Sequence, residues 1–275
     1  MVIDFFANYI KEQLGIVYER GNYYQLEKRL EELAKSENCS SIEELALKAR
    51  NGISGNFKTK LLDLATNNET SFFRDPKIFE MLEKEVFPHF IRHKMHEIRV
   101  WSAACSFGQE IYSVLMLQQE LAFGARPEIR EFVATDISEK ALKKAAEGIY
   151  NHVEMGRGLN PHLQNKFFNP AKEPNHWQVK VDLRRKVNFK SQNLLDPFNH
   201  LGKFDLILCR NVLIYQTVDK KTNIIDRLYD QLTEHGILVM GVGESMIGLS
   251  NKFEQLTFGS VSIYRKKQNV AKKAA

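Results

Sequence analysis

Long hydrophobic runs are missing from this chain of 275 residues. None approaches the roughly 20 apolar residues that cross a bilayer, so no membrane insertion is expected. The first residues, MVIDFFANYIKEQLG, lack a basic leader followed by an apolar core and a small-residue cleavage site, which argues against a signal peptide and for a cytoplasmic protein. Cysteine is sparse: Cys39, Cys105 and Cys209 form an odd, scattered set without metal-ligand spacing, pointing to reduced thiols, no disulfide framework and no metal site. Neither sign of charge dominates beyond a formal +5, concentrated in VKVDLRRKVNFK and in the tail YRKKQNVAKKAA. A solvated basic surface or an acidic protein partner accounts for that surplus, and no nucleic acid is expected. Glycine is short where a dinucleotide fingerprint needs it most. In RVWSAACSFGQEIYS, residues 99–113, only Gly108 stands where a pyrophosphate cradle would take three glycines, which argues against an NAD-dependent dehydrogenase.

What is present reads as two kinds of pattern. The stretches FFANYIKEQLGI, NYYQLEKRLEELAKS, SIEELALKARN and FKTKLLDLAT carry apolar positions at helical spacing, and SSIEE offers an N-cap serine with glutamates in the first turn. They predict an N-terminal helical domain over 1–75, with a linker helix over 76–96 in DPKIFEMLEKEVFPHFI. From 97 to 268 short apolar runs alternate with helices, which predicts an α/β fold built on a Rossmann-like parallel sheet. The alternation of Trp177, Val179 and Val181 with polar neighbours predicts a small inserted antiparallel β-subdomain, a hairpin at about 165–188, and residues 269–275 form a basic tail.

In an open parallel sheet the ligand lies at the carboxyl ends of the strands, so the first strand-to-helix loop is the place to look. Ala103, Ala104, Ser106 and Gly108 let a backbone approach a ligand, while Phe107 fills space and Glu110 puts a negative charge at the helix start. Both features favour a cofactor bearing an amine or sulfonium over one bearing pyrophosphate; a plain strand–helix turn, with Glu110 serving the helix dipole, is the competing reading. Asp136 closes the strand in FVATDIS, placed to accept from two ribose hydroxyls, or else Asp136 or Ser138 simply caps the next helix. Together these features point to an adenosine cofactor without pyrophosphate, for which S-adenosylmethionine is the candidate.

A third signal, TNNETSFFRD at 66–75, gathers Asn68, Thr70 and Arg74 around two phenylalanines outside the sheet region. With WSAACSFGQEIYS, ATDIS, NLL and FDLILCRNVLIY in this order, the chain resembles the CheR-type chemotaxis receptor methyltransferases over nearly its whole length. The resemblance implies a methyltransferase that uses S-adenosylmethionine to convert glutamate side chains in the cytoplasmic domain of a chemoreceptor into methyl esters. By motif match it implies cofactor contacts from Asn68, Thr70, Arg74, Glu110, Asp136, Asn193, Leu194, Arg210 and Asn211. Arg74 would grip the methionyl carboxylate, Asp136 the ribose, and Asn193 with Leu194 would border the adenine. Arg210 has a competing reading as a structural ion-pair partner. A glutamate with a reference pKa of about 4.3 is already ionised at neutral pH, so no acid or base catalyst is assigned. Tyr215 is either an orienting wall near the methyl or a packed core tyrosine.

The chain departs from that family in three places. It has Ala104, Phe107, Gln109 and Ile111 where the family commonly has Gly, Thr, Glu and Pro, while Gly108 and Glu110 stay. Lys28 and Arg29 remain as possible receptor contacts, but Gln25 and Glu31 stand where some members carry arginines. The inserted segment shows EPNHWQVKVDL without the glycine-rich loop of members that tether to a receptor's C-terminal pentapeptide, so tethering is not expected. Two alternatives stay open from sequence: a methyltransferase of this fold acting on RNA or a small molecule, and a non-catalytic cofactor-binding module.

Overall fold

The computed structural model describes residues 2–122 and 124–267; the basic tail expected at 269–275 lies outside the described residues. Each of the four periodic N-terminal stretches is a helix: α1 (Val2–Leu14), α2 (Tyr23–Ser36), α3 (Ile42–Arg50) and α4 (Gly55–Ala65). Their apolar faces, among them Phe6, Ile10, Leu26, Leu30, Leu45 and Leu61, close on one another as a separate core. Ser41 caps α3 by accepting the N–H of Glu44 (3.3 Å), and the Glu44 carboxylate reaches back to the N–H of Ser40 (2.6 Å). Such a cap is worth about 1 kcal/mol.

After Asp75, left-handed at φ 59, Pro76 starts the linker helix, which runs as α5 (Pro76–Met81), a π turn (Leu82–Val86) and α6 (Phe87–Arg92). Pro88 explains the π turn: it has no N–H to give, and its ring would strike the carbonyl one turn back, so the helix widens and Phe87 N–H bonds Leu82 instead.

The rest alternates strand and helix in the order β1 (Glu97–Ala103), α7 (Gln109–Glu120), β2 (Glu128–Asp136), α8 (Glu139–Glu147), β3 (Ile149–Asn151), α9 (His152–Gly156) and α10 (Pro161–Phe167). It continues through β4 (Phe168–Pro170), β5 (His176–Val179), α11 (Val181–Arg184), β6 (Val187–Ser191), β7 (Phe204–Cys209), α12 (Val218–Gln231), β8 (Leu232–Met240), β9 (Phe253–Phe258) and β10 (Val261–Lys266). A seven-stranded sheet forms in the order β6-β2-β1-β7-β8-β10-β9. Its first five members are parallel, and β10 runs antiparallel to both neighbours. Leu206, Leu208, Ile237 and Val239 face one helix layer, while Ile207, Cys209, Leu238 and Met240 face the other. Both faces are therefore apolar, which is why these strands read as continuous hydrophobic runs. Each fully buried Leu, Ile or Val contributes about 1.5–3 kcal/mol. The strand order reverses between β1 and β7, and this switch point fixes where a ligand crevice can open.

The inserted unit differs from the expected hairpin. It is a three-stranded antiparallel sheet, β3-β5-β4, that begins at Ile149, well before 165. The alternation through Val181 also overran: β5 has partners only as far as Val179, so the chain turns there into α11, where Arg184 Nε donates to the Val179 carbonyl (3.0 Å).

Candidate functional site

A cleft enclosing about 970 Å³, part of it open to solvent, lies at the carboxyl ends of β1, β2 and β7. All nine positions expected to contact a cofactor line it, as does Tyr215: Asn68, Thr70, Arg74, Glu110, Asp136, Asn193, Leu194, Arg210 and Asn211 converge from segments far apart in sequence.

The floor is the loop from β1 to α7. Ala104 (φ 63) and Ser106 (φ 51) are left-handed, a conformation that costs a non-glycine residue about 1–2 kcal/mol. The surroundings hold the loop there. Asp136 Oδ2 accepts the N–H of Ser106 (2.8 Å), Cys105 N–H donates to the Thr135 carbonyl (2.9 Å), and Ser106 Oγ donates to the Asn68 carbonyl (2.8 Å). Tyr150 O–H donates to the Phe107 carbonyl at 2.7 Å. Gly108 (φ 86) is the one position that needs glycine, because a Cβ there would come within 2.9 Å of Ala145 Cβ. Phe107 corrects an expectation: its ring is absent from the cleft lining and lies beneath Lys144, whose Nζ is 4.8 Å from the ring centroid.

Of the two residues offered as the cap of α8, Ser138 is the one that makes it. Ser138 Oγ caps α8 by accepting from Ala141 N–H (3.0 Å), which frees Asp136 to receive Ser106 N–H and, at 2.9 Å, Ser138 N–H. Burial pushes the Asp136 carboxyl above its ordinary value, opposed by those backbone donors.

Across the floor runs an ionic tie. Glu110 Oε1 accepts from Ser102 Oγ (2.9 Å) and Oε2 from Arg210 Nη1 (2.7 Å). Arg210 Nη2 donates to Asp75 Oδ2 (2.8 Å) and to the Arg74 carbonyl (2.9 Å). Arg210 is thus a structural ion-pair partner, although its surface also borders the cleft. Two carboxylates share one guanidinium, Glu110 on the cavity side and Asp75 outside the cleft lining. Arg74 itself donates to the Glu69 carbonyl at 2.8 Å.

The roof comes from the helical N-terminal unit. The last carbonyls of α1 are taken up by the sheet unit: Asn193 Nδ2 donates to Gln13 (2.7 Å) and Gln216 Nε2 to Leu14 (2.8 Å), while Lys11, which already accepts the N–H of Gly15 (2.9 Å), also receives Lys220 Nζ (2.5 Å). Gly15 (φ 74) ends the helix, and Ile16 pairs with Gln216 as an isolated bridge. Leu14 and Ile16 therefore wall the cleft, which sequence reasoning missed: the helical stretch was read through Gly15 and Ile16, and nothing local marks what Ile16 meets. Ile137 and Gln192 also line it unforeseen, beside Asp136 and Asn193. Tyr215 is no core tyrosine: it is 38% exposed, and its hydroxyl accepts from Asn67 Nδ2 at 2.9 Å.

Comparison with known proteins bears on what such a cleft holds. Residues 68–261 match the family model described as CheR methyltransferase, SAM binding domain. Chemotaxis protein methyltransferase Cher2 of Pseudomonas putida is 35% identical over 266 residues, covering 95% of this chain and 96% of the relative. Chemotaxis protein methyltransferase 1 of Vibrio cholerae is 36% identical over 265 residues, covering 95% of each chain.

Proposed function

The chain belongs to the CheR methyltransferase family, and from that premise we propose how its cleft carries out the family's reaction. The protein is an S-adenosylmethionine-dependent methyltransferase of the chemotaxis type, and its substrate is the glutamate carboxylate of a chemoreceptor. The observation that carries the reading of the site is the convergence of the nine motif positions and Tyr215 on one cleft at the switch point. The donor set fits the cofactor: a buried acid for a ribose, apolar Ile137 and Leu194 for a ring, the Glu110 carboxylate for an ammonium, and Arg74 for a carboxylate.

When bound, S-adenosylmethionine supplies a methyl group that the substrate carboxylate takes in line, the carbon–sulfur electron pair passing to sulfur. No proton moves in that step, so the residues of the chain act by placement. Asp136 and Asn193 hold the nucleoside end. Glu110, held by Arg210, favours positive charge at the methionyl end, and Leu14 and Ile16 keep water from the roof. Tyr215, exposed at the rim, orients the incoming carboxylate. Lys28 is exposed on α2 and is available to an acidic receptor, whereas Arg29 is turned inward and donates to the Leu64 carbonyl (2.8 Å). The β4–β5 connection, 171–175, is short and without glycine, which supports engagement of the receptor without capture of its tail. Among the described residues no helix is long and apolar enough to cross a membrane. We place the protein in the cytoplasm, facing the receptor's cytoplasmic domain, and take 1–75, 76–96 and 97–268 as its working units.

The test is incubation with methyl-labelled cofactor and receptor cytoplasmic fragments. Label released as methanol by mild alkali marks the carboxyl ester. Alkali-stable label, or label in RNA alone, overturns the reading.

A further inference from the structure

Glu244 lies in the loop after β8, outside the cleft lining, yet its carboxylate is more heavily engaged than any acid that faces the cavity. Oε2 accepts the N–H groups of Asn211 (2.7 Å) and Gly241 (2.8 Å). Oε1 accepts those of Val212 (3.1 Å), Leu213 (2.8 Å) and Ile214 (3.2 Å). The approach depends on Gly241, where a Cβ would come within 2.8 Å of Glu244 Oε2 and 2.7 Å of Asn211 Nδ2. Residues 211–214, with Asn211 left-handed at φ 57, therefore form a concave run of four backbone donors filled by a carboxylate of the same chain. Such a nest binds anions readily, and hydrogen bonds to a charged acceptor are the strong ones. The loop it fixes presents Asn211, Val212, Tyr215 and Gln216 to the cleft.

We propose that Glu244 is a positioning residue for methyl transfer: it occupies the 211–214 nest and so fixes the wall that carries Asn211 and Tyr215. This rests on the methyltransferase reading, since the wall matters to the rate only if the cleft it borders is where methyl transfer takes place. With the nest empty the wall is free to shift, and a misplacement of about 1 Å costs on the order of 100-fold in rate.

The experiment compares wild type, Glu244→Ala and Glu244→Gln, each checked for native near-ultraviolet circular dichroism. Alanine empties the nest; glutamine offers one oxygen and turns an NH₂ toward the remaining donors. For Glu244→Ala we expect kcat on receptor fragments to fall by about 100-fold, the Kd of S-adenosylhomocysteine to stay within about tenfold, and added formate to restore at least tenfold of the lost rate. Glu244→Gln falls similarly and is not rescued, and it carries the kinetic test should the alanine variant not fold. Amide hydrogen exchange of 211–214 needs no receptor: it accelerates in Glu244→Ala and slows again with formate. A kcat loss below tenfold in a folded variant overturns the proposal, as does formate that neither raises kcat nor slows exchange. Failure of the wild type to form ester refutes the receptor reading instead, and the exchange measurement still judges Glu244.

Discussion

Arg210→Met removes the cation between Glu110 and Asp75 while keeping most of the side-chain volume. The Arg210 side chain is 3% exposed and that of Glu110 15%, so solvent screens little of their interaction; the Asp75 arm, at 34%, contributes less. The substitution leaves Glu110 partly buried with the Ser102 hydroxyl as its remaining partner, and strips a donor from the Arg74 carbonyl. Breaking a buried pair from one side costs about 3–5 kcal/mol. At about 2–4 °C per kcal/mol for a protein of this size, the melting midpoint falls by roughly 6–20 °C. The assay is thermal denaturation of wild type, Arg210→Met, Glu110→Gln and the double variant. With both charges gone the penalty of the orphaned carboxylate disappears, so the cycle should return a coupling of about 2 kcal/mol or more. A loss under about 1 kcal/mol for Arg210→Met, or additivity across the cycle, refutes the assignment of Arg210 to the tie.

Phe107→Thr, which restores the residue common in the family, should change the Kd of S-adenosylhomocysteine by less than about threefold in calorimetry, because the ring packs under Lys144 outside the cleft. Gly15→Ala strains a φ of 74 and drives a Cβ to 1.8 Å from Gln216 Oε1, displacing that amide from the Leu14 carbonyl; stopped-flow dissociation of S-adenosylhomocysteine should speed up severalfold. Burial beside His93 pushes His89 below the ordinary imidazole value, its Nε2 lying 3.1 Å from the His235 carbonyl. The unfolded chain then binds the proton more readily than the folded one, so stability rises with pH through the window between the folded value and about 6.5, and falls on acidification through it. Denaturation across that window in wild type and His89→Gln checks this, the variant losing the slope.

Much of the site was legible because its residues stand where strands end, and strand ends follow from pattern. Asp136 closes an apolar run, and Arg210 and Asn211 follow one that is buried along its whole length. The helical faces of α1 to α4 were equally plain, since spacing alone dictates them. What escaped were features that depend on distant partners. Leu14 and Ile16 reach the cleft only because Asn193, Gln216 and Lys220 draw the end of α1 onto it. Glu244 looks like any loop acid until 211–214 turn their donors inward. The direction of Phe107 follows from the left-handed backbone at Ser106, and β3, at three residues, is too short to alternate visibly. The role of Arg210 was open because sequence names a cation without naming its counterions.

The trans-capped end of α1 bears on modularity. The family model begins at residue 68, but two walls of the cavity and two carbonyl acceptors for its side chains lie between residues 13 and 16. A sheet unit excised at the boundary of the family model would expose the amides of Asn193 and Gln216 and lose a dry side of the pocket. The portable piece is therefore larger than the matched segment. A chimera that exchanges helical units between relatives keeps its cavity only if residues 11–17 travel with the sheet they cap, and recombination across that seam has to preserve Gly15, Asn193 and Gln216 together.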